Sequence, residues 1–505
     1  MIGRTRSVVL AGLHGHIIDV EAHIAASLPA FTIVGLPDAS LNESRDRVRA
    51  AVACSGLAWP NRRITVNLSP ASLPKSGSVT DVAIAVAVLA SAGMVDAGAA
   101  AGAVHLGELG LDGRVRPVRG VLPAVAAAVG AGYERVVVPA GNAAEARLVP
   151  GAAVVPIATL ADLAHLYGNT EARASEEAPV EQAVKSLRLD RAPDLVDVRG
   201  QDEARWALEV AAAGGHHLLM VGPPGTGKTM LASRLPGILP DLSEEDAVAA
   251  TSVHSIAGTF DPSDGLLRRP PYEAPHHSAS AAAIVGGGSL MARPGAVSRA
   301  HGGVLFLDEA PEFPTRVLQT LRQPLEEGEV VIHRAQGAAR YPARFQLVLA
   351  SNPCPCGNFY GAGTKCTCAA LARRRYFGRL SGPLLDRVDL QVSVHPVRRG
   401  FADEGESTAA VAARVARARE RARVRLAAHG WQVNSQASGR WLRQHTDAAA
   451  VAPVMRALDH GQLTARGVDR ALRVAWTLAD LADRDRPTSD DVSAAMVLRS
   501  RGGAA

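Results

Sequence analysis

The 505-residue chain reads as a multidomain α/β protein, and three observations predict that class. Gly222-Pro223-Pro224-Gly225-Thr226-Gly227-Lys228-Thr229 stands between a short apolar run of strand type, His216 to Val221, and a helical stretch from Met230 onward. Val304-Leu305-Phe306-Leu307 is an apolar run closed by Asp308-Glu309, the pattern of a buried central strand with carboxylates at its carboxyl edge. Over roughly the first 168 residues, strand-like runs alternate with Ala-rich helical stretches, whereas from Asp403 onward the pattern is nearly all helical.

Length allows about three domains, each large enough for its own core. Residues 1–168 read as one α/β unit with strands at Ser7 to Leu10, Phe31 to Val34, Arg63 to Asn67 and Arg135 to Val138. Residues 169–187 are polar, carry an acidic run and show no core pattern, which predicts a linker. The motif-bearing segment spans 188–397, and 398–505 is the helical part, with an Arg-Gly-Gly-Ala-Ala tail expected to fray. No repeat of 20 to 50 residues recurs, which argues against a solenoid. No apolar run reaches the length of a membrane span and no secretory signal opens the chain, so the expectation is a soluble cytoplasmic protein. A net charge of +5 is too small to argue nucleic-acid binding alone. Of five cysteines, four fall between positions 354 and 368, which speaks for metal chemistry and against a disulfide framework.

The segment Gly222 to Thr229 fits the pattern of a loop that cradles phosphates. Its glycines let backbone N–H groups curl around the anion, Lys228 neutralises the outer phosphates, and the Thr229 hydroxyl can ligate Mg²⁺. Lysine is scarce here: only Lys75, Lys185, Lys228 and Lys365 occur among 54 basic residues, so a stray lysine in a glycine-rich turn is a poor explanation. Seventy-nine residues after Thr229, Asp308 is expected to hold the Mg²⁺ shell and Glu309 to orient or deprotonate the attacking water. A third apolar run, Phe345 to Ala350, ends in Ser351-Asn352. An amide there can sit between the two motif strands and hold water or the γ-phosphate. Arg387 in Leu384-Leu385-Asp386-Arg387-Val388-Asp389 stands at a helix end, where it can reach a neighbouring subunit's nucleotide as a finger. Arg466 opens a helix expected over Val468 to Leu481 and can meet the nucleotide as a lid closes, with Arg470 and Arg473 as competitors for that role.

In this order the motifs resemble those of the AAA+ ATPases, and within them the magnesium-chelatase-like branch and its YifB/ComM family of competence-associated helicases. Ala274-Pro275-His276-His277-Ser278, Val285-Gly286-Gly287-Gly288-Ser289, Arg293-Pro294-Gly295, Ala300-His301-Gly302-Gly303, Ser351-Asn352-Pro353-Cys354-Pro355-Cys356-Gly357 and Leu380 to Arg387 carry the resemblance over nearly the whole chain. It implies an AAA+ core of α/β type with a C-terminal helical lid, and a ring, by expectation a hexamer. It further implies an ATP- and Mg²⁺-dependent motor that moves along single-stranded or branched DNA, by branch migration. The alternative is a chelatase-type motor that remodels a protein partner without DNA.

By the same resemblance residues 273–300 form an insertion that projects into the ring pore. Glu329 to Ala343 reads as a β-hairpin turning at Gln-Gly, with Arg334 and Arg340 at its tip as phosphate contacts for DNA or as members of a solvated hairpin. His276 and His277 are either structural hydrogen-bonding groups or substrate contacts. Arg414, Arg417, Arg421 and Arg425 recur at helical spacing, either to track a phosphate backbone or as a solvated face. Cys354-Pro355-Cys356 and Cys366-Thr367-Cys368 are tighter than the usual zinc knuckle, yet four thiolates on one compact loop can close a tetrahedral Zn²⁺ site. A redox thiol set or a cluster of reduced cysteines is the other reading. Cys54 reads as a buried apolar residue.

Leu73-Pro74-Lys75-Ser76-Gly77 and Gly107 to Pro117 resemble the Lon-protease fold. The positions of the Ser–Lys pair in that family fall here on Val79 and on Leu122, Pro123 or Ala124. Without nucleophile or activating amine the expected role is a non-catalytic scaffold.

Overall fold

Period-two burial builds the first sheet. Along Arg63–Ser69 the side chains of Ile64, Val66 and Leu68 are buried and those between are partly exposed. A computed structural model describes residues 2–35, 39–73, 75, 77–172, 193–288, 292–334, 337–361, 363–380, 382–396 and 405–500. Most of the expected linker, the hairpin turn at 335–336, the boundary at 397–398 and the tail 501–505 lie outside the described residues. The sheet has seven strands in the order Ala30–Val34, Arg63–Ser69, His14–Ala25, Ile2–Ala11, Val104–His105, Arg135–Pro139, Ala153–Ile157. Ile2–Ala11 pairs antiparallel with His14–Ala25, and on its other side runs parallel to Val104–His105. The helix Asp81–Ser91, DVAIAVAVLAS, has no polar face and is buried along its whole length against this sheet.

The second sheet is all parallel: Tyr272–Glu273, Val304–Leu307, Gln346–Ser351, Leu218–Val221, Leu390–Ser393. Its central strands are apolar runs because both faces are covered. One face, with Met220, Phe306, Val348 and Val392, shares its core with Val411, Val415, Leu472 and Trp476 of the C-terminal helices. The other, with Leu305, Leu307 and Leu349, packs on Ile284, Val297, Phe313 and Ile332 from the insertion and the hairpin. The chain is thus a multidomain α/β protein: a mixed seven-stranded sheet, an all-parallel five-stranded sheet and a C-terminal helical region.

A buried polar knot fastens the helical region to the base of the phosphate-loop strand. His216 bonds Asp389 Oδ2 through Nδ1 (3.1 Å) and Thr477 Oγ1 through Nε2 (2.8 Å), and Asn434 Nδ2 donates to the same threonine at 3.1 Å. Beside it, His217 Nδ1 accepts from Leu347 N at 3.0 Å, and burial pushes its imidazole down to about 4. The two α/β parts also touch. Ser255 Oγ donates to the carboxylate of Glu145, which accepts from Leu122 N at 2.9 Å as well, and burial raises the Glu145 carboxyl above its usual range. Cys54 is exposed at the end of the helix Ala39–Cys54, contrary to the burial expected of it, because Ala51 and Val52 take the core-facing side of the last turn and Ala53 and Cys54 the outer side.

Candidate active site

The phosphate-loop residues turn between Leu218–Val221 and a helix that begins at Lys228. Gly225 (φ 76°) and Gly227 (φ 91°) take left-handed conformations that a side chain would disfavour. Lys228 Nζ donates to Gly222 O at 2.7 Å, to Pro223 O at 2.9 Å and to Asn352 Oδ1 at 3.3 Å. Burial lowers its pKa, while Asp308 and Glu309 act the other way. Thr229 Oγ1 donates to Asp308 Oδ2 at 2.6 Å, so hydroxyl and carboxylate converge as a hard divalent cation requires. The strand of Asn352 lies between the phosphate-loop and acidic strands, which sets the amide opposite the lysine.

A cleft of ≈ 420 Å³ opens at these carboxyl ends. Pro224, Gly225, Thr226, Gly227, Lys228, Thr229, Asp308, Glu309 and Asn352 line it, as does Met230, which sequence reasoning did not single out. Gly222 and Pro223 contribute carbonyls to the lysine and no lining surface. Glu309 adopts φ +49°, an uncommon conformation for a residue with a side chain, and its N–H donates to Asp308 Oδ1 at 2.9 Å. His277 Nδ1 stands 3.6 Å from Glu309 Oε2, a contact the sequence did not foretell.

Neither Arg387 nor Arg466 lines this cleft. Arg387 pairs with Glu326, and burial together with the nearby charges of Arg322 and Arg466 lowers its pKa. Arg466 is exposed in the first turn of Ala465–Leu481. Its two competitors have structural duties: Arg470 Nη1 donates to Val388 O at 3.2 Å and Arg473 Nε to Ala437 O at 2.9 Å.

The hairpin comprises Glu329–Arg334 and Gly337–Pro342. The side chain of Arg334 lies outside the described residues. Arg340 is not at the tip: it stands opposite Val331 and pairs with Glu329 at 2.6 Å, because the strand pairing runs on to Arg334↔Gly337. The arginine series on Thr408–Leu426 is largely neutralised or buried. Arg414 pairs with Glu209 and Glu406, Arg421 with Asp485, and Arg425 with Asp480. By contrast Arg374 and Arg375, on the helix Ala370–Gly378, are exposed and in no ion pair among the described residues.

The four cysteines Cys354, Cys356, Cys366 and Cys368 meet, with their sulfurs all within 4.8 Å of one another. Separations of 3.3, 3.7 and 3.8 Å link Cys354, Cys356 and Cys366. A zinc tetrathiolate with bonds of about 2.3 Å needs sulfurs about 3.8 Å apart, so the donor set fits that ion. Burial pushes the Cys354 thiol up to about 12, while backbone N–H groups of Asn358 and Thr367 draw Cys356 down to about 6. The cluster abuts the phosphate loop: a Cβ on Gly357 would stand 2.6 Å from Pro224 Cδ. Burial raises the Tyr376 hydroxyl to about 12, while Ser351 and Asn352 beside it act the other way.

In the amino-terminal part, the Leu122 side chain is buried and Val79 packs half-buried against the same core. Lys75 is buried with its ammonium on Pro70 O, and Ser78 is engaged by Glu108. Ser76 lies outside the described residues.

Comparison with known proteins adds what geometry alone leaves open. Family models described as magnesium chelatase subunit ChlI match residues 194–401 and 20–142, and the model of the ChlI C-terminal part matches 405–499. The competence protein ComM of Haemophilus influenzae is 40% identical over 474 residues, 93% of this chain and 92% of that one. YifB of Escherichia coli is 39% identical over 494 residues, 97% of this chain and 95% of its own. The chain belongs to the YifB/ComM family of magnesium-chelatase-like proteins. An uncharacterized protein of Mycobacterium tuberculosis is 53% identical over 505 residues, 99% of each chain. Lon protease 2 of Bacillus subtilis is 32% identical over 159 residues, 29% of this chain and 27% of that one. This YifB/ComM member is thereby one of a chelatase-like ATPase family. Among its described residues no helix is long and apolar enough to cross a membrane.

Proposed function

We propose that this protein is a cytoplasmic, Mg²⁺-dependent AAA+ ATPase that forms a ring, by expectation a hexamer, and couples ATP hydrolysis to movement on DNA in branch migration. The observation that carries the nucleotide reading is the meeting of Thr229 with Asp308 at 2.6 Å, beside Lys228 and Asn352, in one cleft. Lys228 exchanges its loop carbonyls for the outer phosphates. Thr229 and Asp308 hold Mg²⁺, which supplies charge neutralisation on the phosphate oxygens. Glu309 takes the proton of the attacking water and Asn352 fixes that water or the γ-phosphate. Arg387, outside its own cleft, serves the nucleotide of an adjoining subunit as a finger, and Arg466 meets the nucleotide as the lid closes.

Domains are assigned as 1–168, a non-catalytic Lon-like scaffold; 169–187, a linker; 188–397, the ATPase core; and 398–505, the helical lid. The cysteine loop carries a structural Zn²⁺. Similarity to a protein named for competence supports the DNA reading, as do the uncompensated Arg374 and Arg375. Arg334 and Arg340 remain the proposed hairpin contacts. The ion pair of Arg340 with Glu329 favours the second reading, a motor acting on a protein partner.

Turnover measured with and without single-stranded and branched DNA, with Lys228→Ala as the blank, separates the two. DNA stimulation that is lost in Arg334→Ala supports the DNA motor. Turnover indifferent to every DNA sinks it and leaves the protein-remodelling motor.

A further inference from the structure

We infer that His277 is a positioning residue for Glu309, holding the carboxylate that takes the proton from water. The inference rests on the assignment of Glu309 as that base. Glu309 follows the acidic strand in a left-handed turn (φ +49°), and its N–H is tied to Asp308 Oδ1. Its backbone is therefore fixed, but its side chain has three torsions and is half exposed in the cleft (50%). A base left to wander over those rotamers spends little time in line with a reacting water.

Among the described residues, the side chain recorded against that carboxylate is the imidazole of His277, with Nδ1 3.6 Å from Oε2. That is ion-pair distance, a few tenths of an ångström longer than a hydrogen bond, and such contacts tighten when a site fills. The ring itself is held. It lies against His276 at 4.0 Å, tilted by 35° between planes, and meets the edge of Phe313 at 6.5 Å and 80°. His276 is fixed in turn by Ser278 Oγ at 2.8 Å from its Nδ1. Phe313 is buried at 1% exposure, so the ring of His277 rests its edge contact on the core. The paired histidines thus gain distinct duties: His276 braces the ring of its neighbour, and His277 points a ring nitrogen at the base. The cation of the cleft lining itself, Lys228, is not placed to do this, since it is turned to the loop carbonyls and Asn352.

A double-mutant cycle on the full chain tests the assignment, with ATP turnover and the affinity for a fluorescent ATP analogue measured separately. His277→Ala is expected to lower kcat about 10- to 100-fold while analogue affinity stays within about twofold, the signature of a lost orienting contact. His277→Asn, which retains an N–H donor, should recover part of the loss. In a Glu309→Gln background, His277→Ala should cost nothing further, because the carboxylate it holds is gone. Unchanged kcat in His277→Ala overturns the inference. So does an equal loss in the Glu309→Gln background, or a fall in analogue affinity in step with kcat, since either marks a general structural role. Glu309→Gln turning over like the natural protein defeats the underlying base assignment instead, and is read independently of His277. Should His277→Ala melt early, His277→Asn and His277→Gln carry the same cycle.

Discussion

Lys228 illustrates how a rare residue becomes decisive. Its ammonium sits on two loop carbonyls and an amide oxygen, so it is held in place without any anion. Lys228→Ala should abolish measurable binding of a fluorescent ATP analogue with little change in melting temperature, checked on the same preparation. Gly357 makes a subtler case. Its φ of 75° and the 2.6 Å that would separate a new Cβ from Pro224 mean that Gly357→Ala must push the cysteine loop and phosphate loop apart. The backbone penalty alone is about 1 kcal/mol. The expected outcome is an analogue affinity about tenfold weaker, read by titration; unchanged affinity would show the two loops to be independent.

At the scale of elements, the cysteine loop joins two structural parts of the site. Cys354 follows Asn352 by two residues, and Tyr376 on the succeeding helix stands beside Ser351 and Asn352. Removing a metal from the four thiols should therefore loosen the end of the asparagine strand. Protein purified without chelator is expected to carry about one zinc per chain, by metal analysis. Cys354→Ser combined with Cys366→Ser should reduce it to near zero and lower the melting temperature by several degrees. Full zinc retention in that double variant would exclude the cluster as the ligand set. The hairpin shows what spacing alone misjudges: strand pairing puts Arg340 opposite Val331 and beside Glu329, away from the turn.

For the whole molecule, two imidazoles held out of water, His105 buried and His217 half-buried, set an acid limit on stability. Burial pushes His105, in the first sheet's core, and His217, under the phosphate-loop strand, down to about 4 each. Unfolded histidine titrates near 6.5, so on acidification the unfolded chain takes up these protons first. Stability is intact above about pH 6.5 and falls between there and about pH 4, by up to about 3 kcal/mol per histidine. Denaturant unfolding followed across that range should show the loss, and His217→Gln should flatten its share. A midpoint independent of pH would contradict neutral burial. Because one histidine lies in each α/β part and Glu145 with Ser255 joins them, both parts weaken over the same window.

The sequence by itself determined the phosphate loop, the acidic strand, the asparagine strand and the family, because each is a local run whose chemistry depends on near neighbours in the chain. It also made legible the α/β alternation and the helical carboxyl-terminal part. It missed His14–Ala25, whose Ile18, Val20, Ala22 and Ile24 alternate correctly but are interrupted by histidines and acids that face outward. Only the tertiary structure decided which cations are spent on partners. Arg414, Arg421, Arg425 and Arg340 look alike in sequence to Arg374 and Arg375, and differ because acids from distant segments reach the first three and the facing hairpin strand brings Glu329 to Arg340. The same holds for His277, set against Glu309 across thirty-two positions of chain. Ion pairs and orienting contacts are made between residues far apart in sequence, and local pattern carries no record of such meetings.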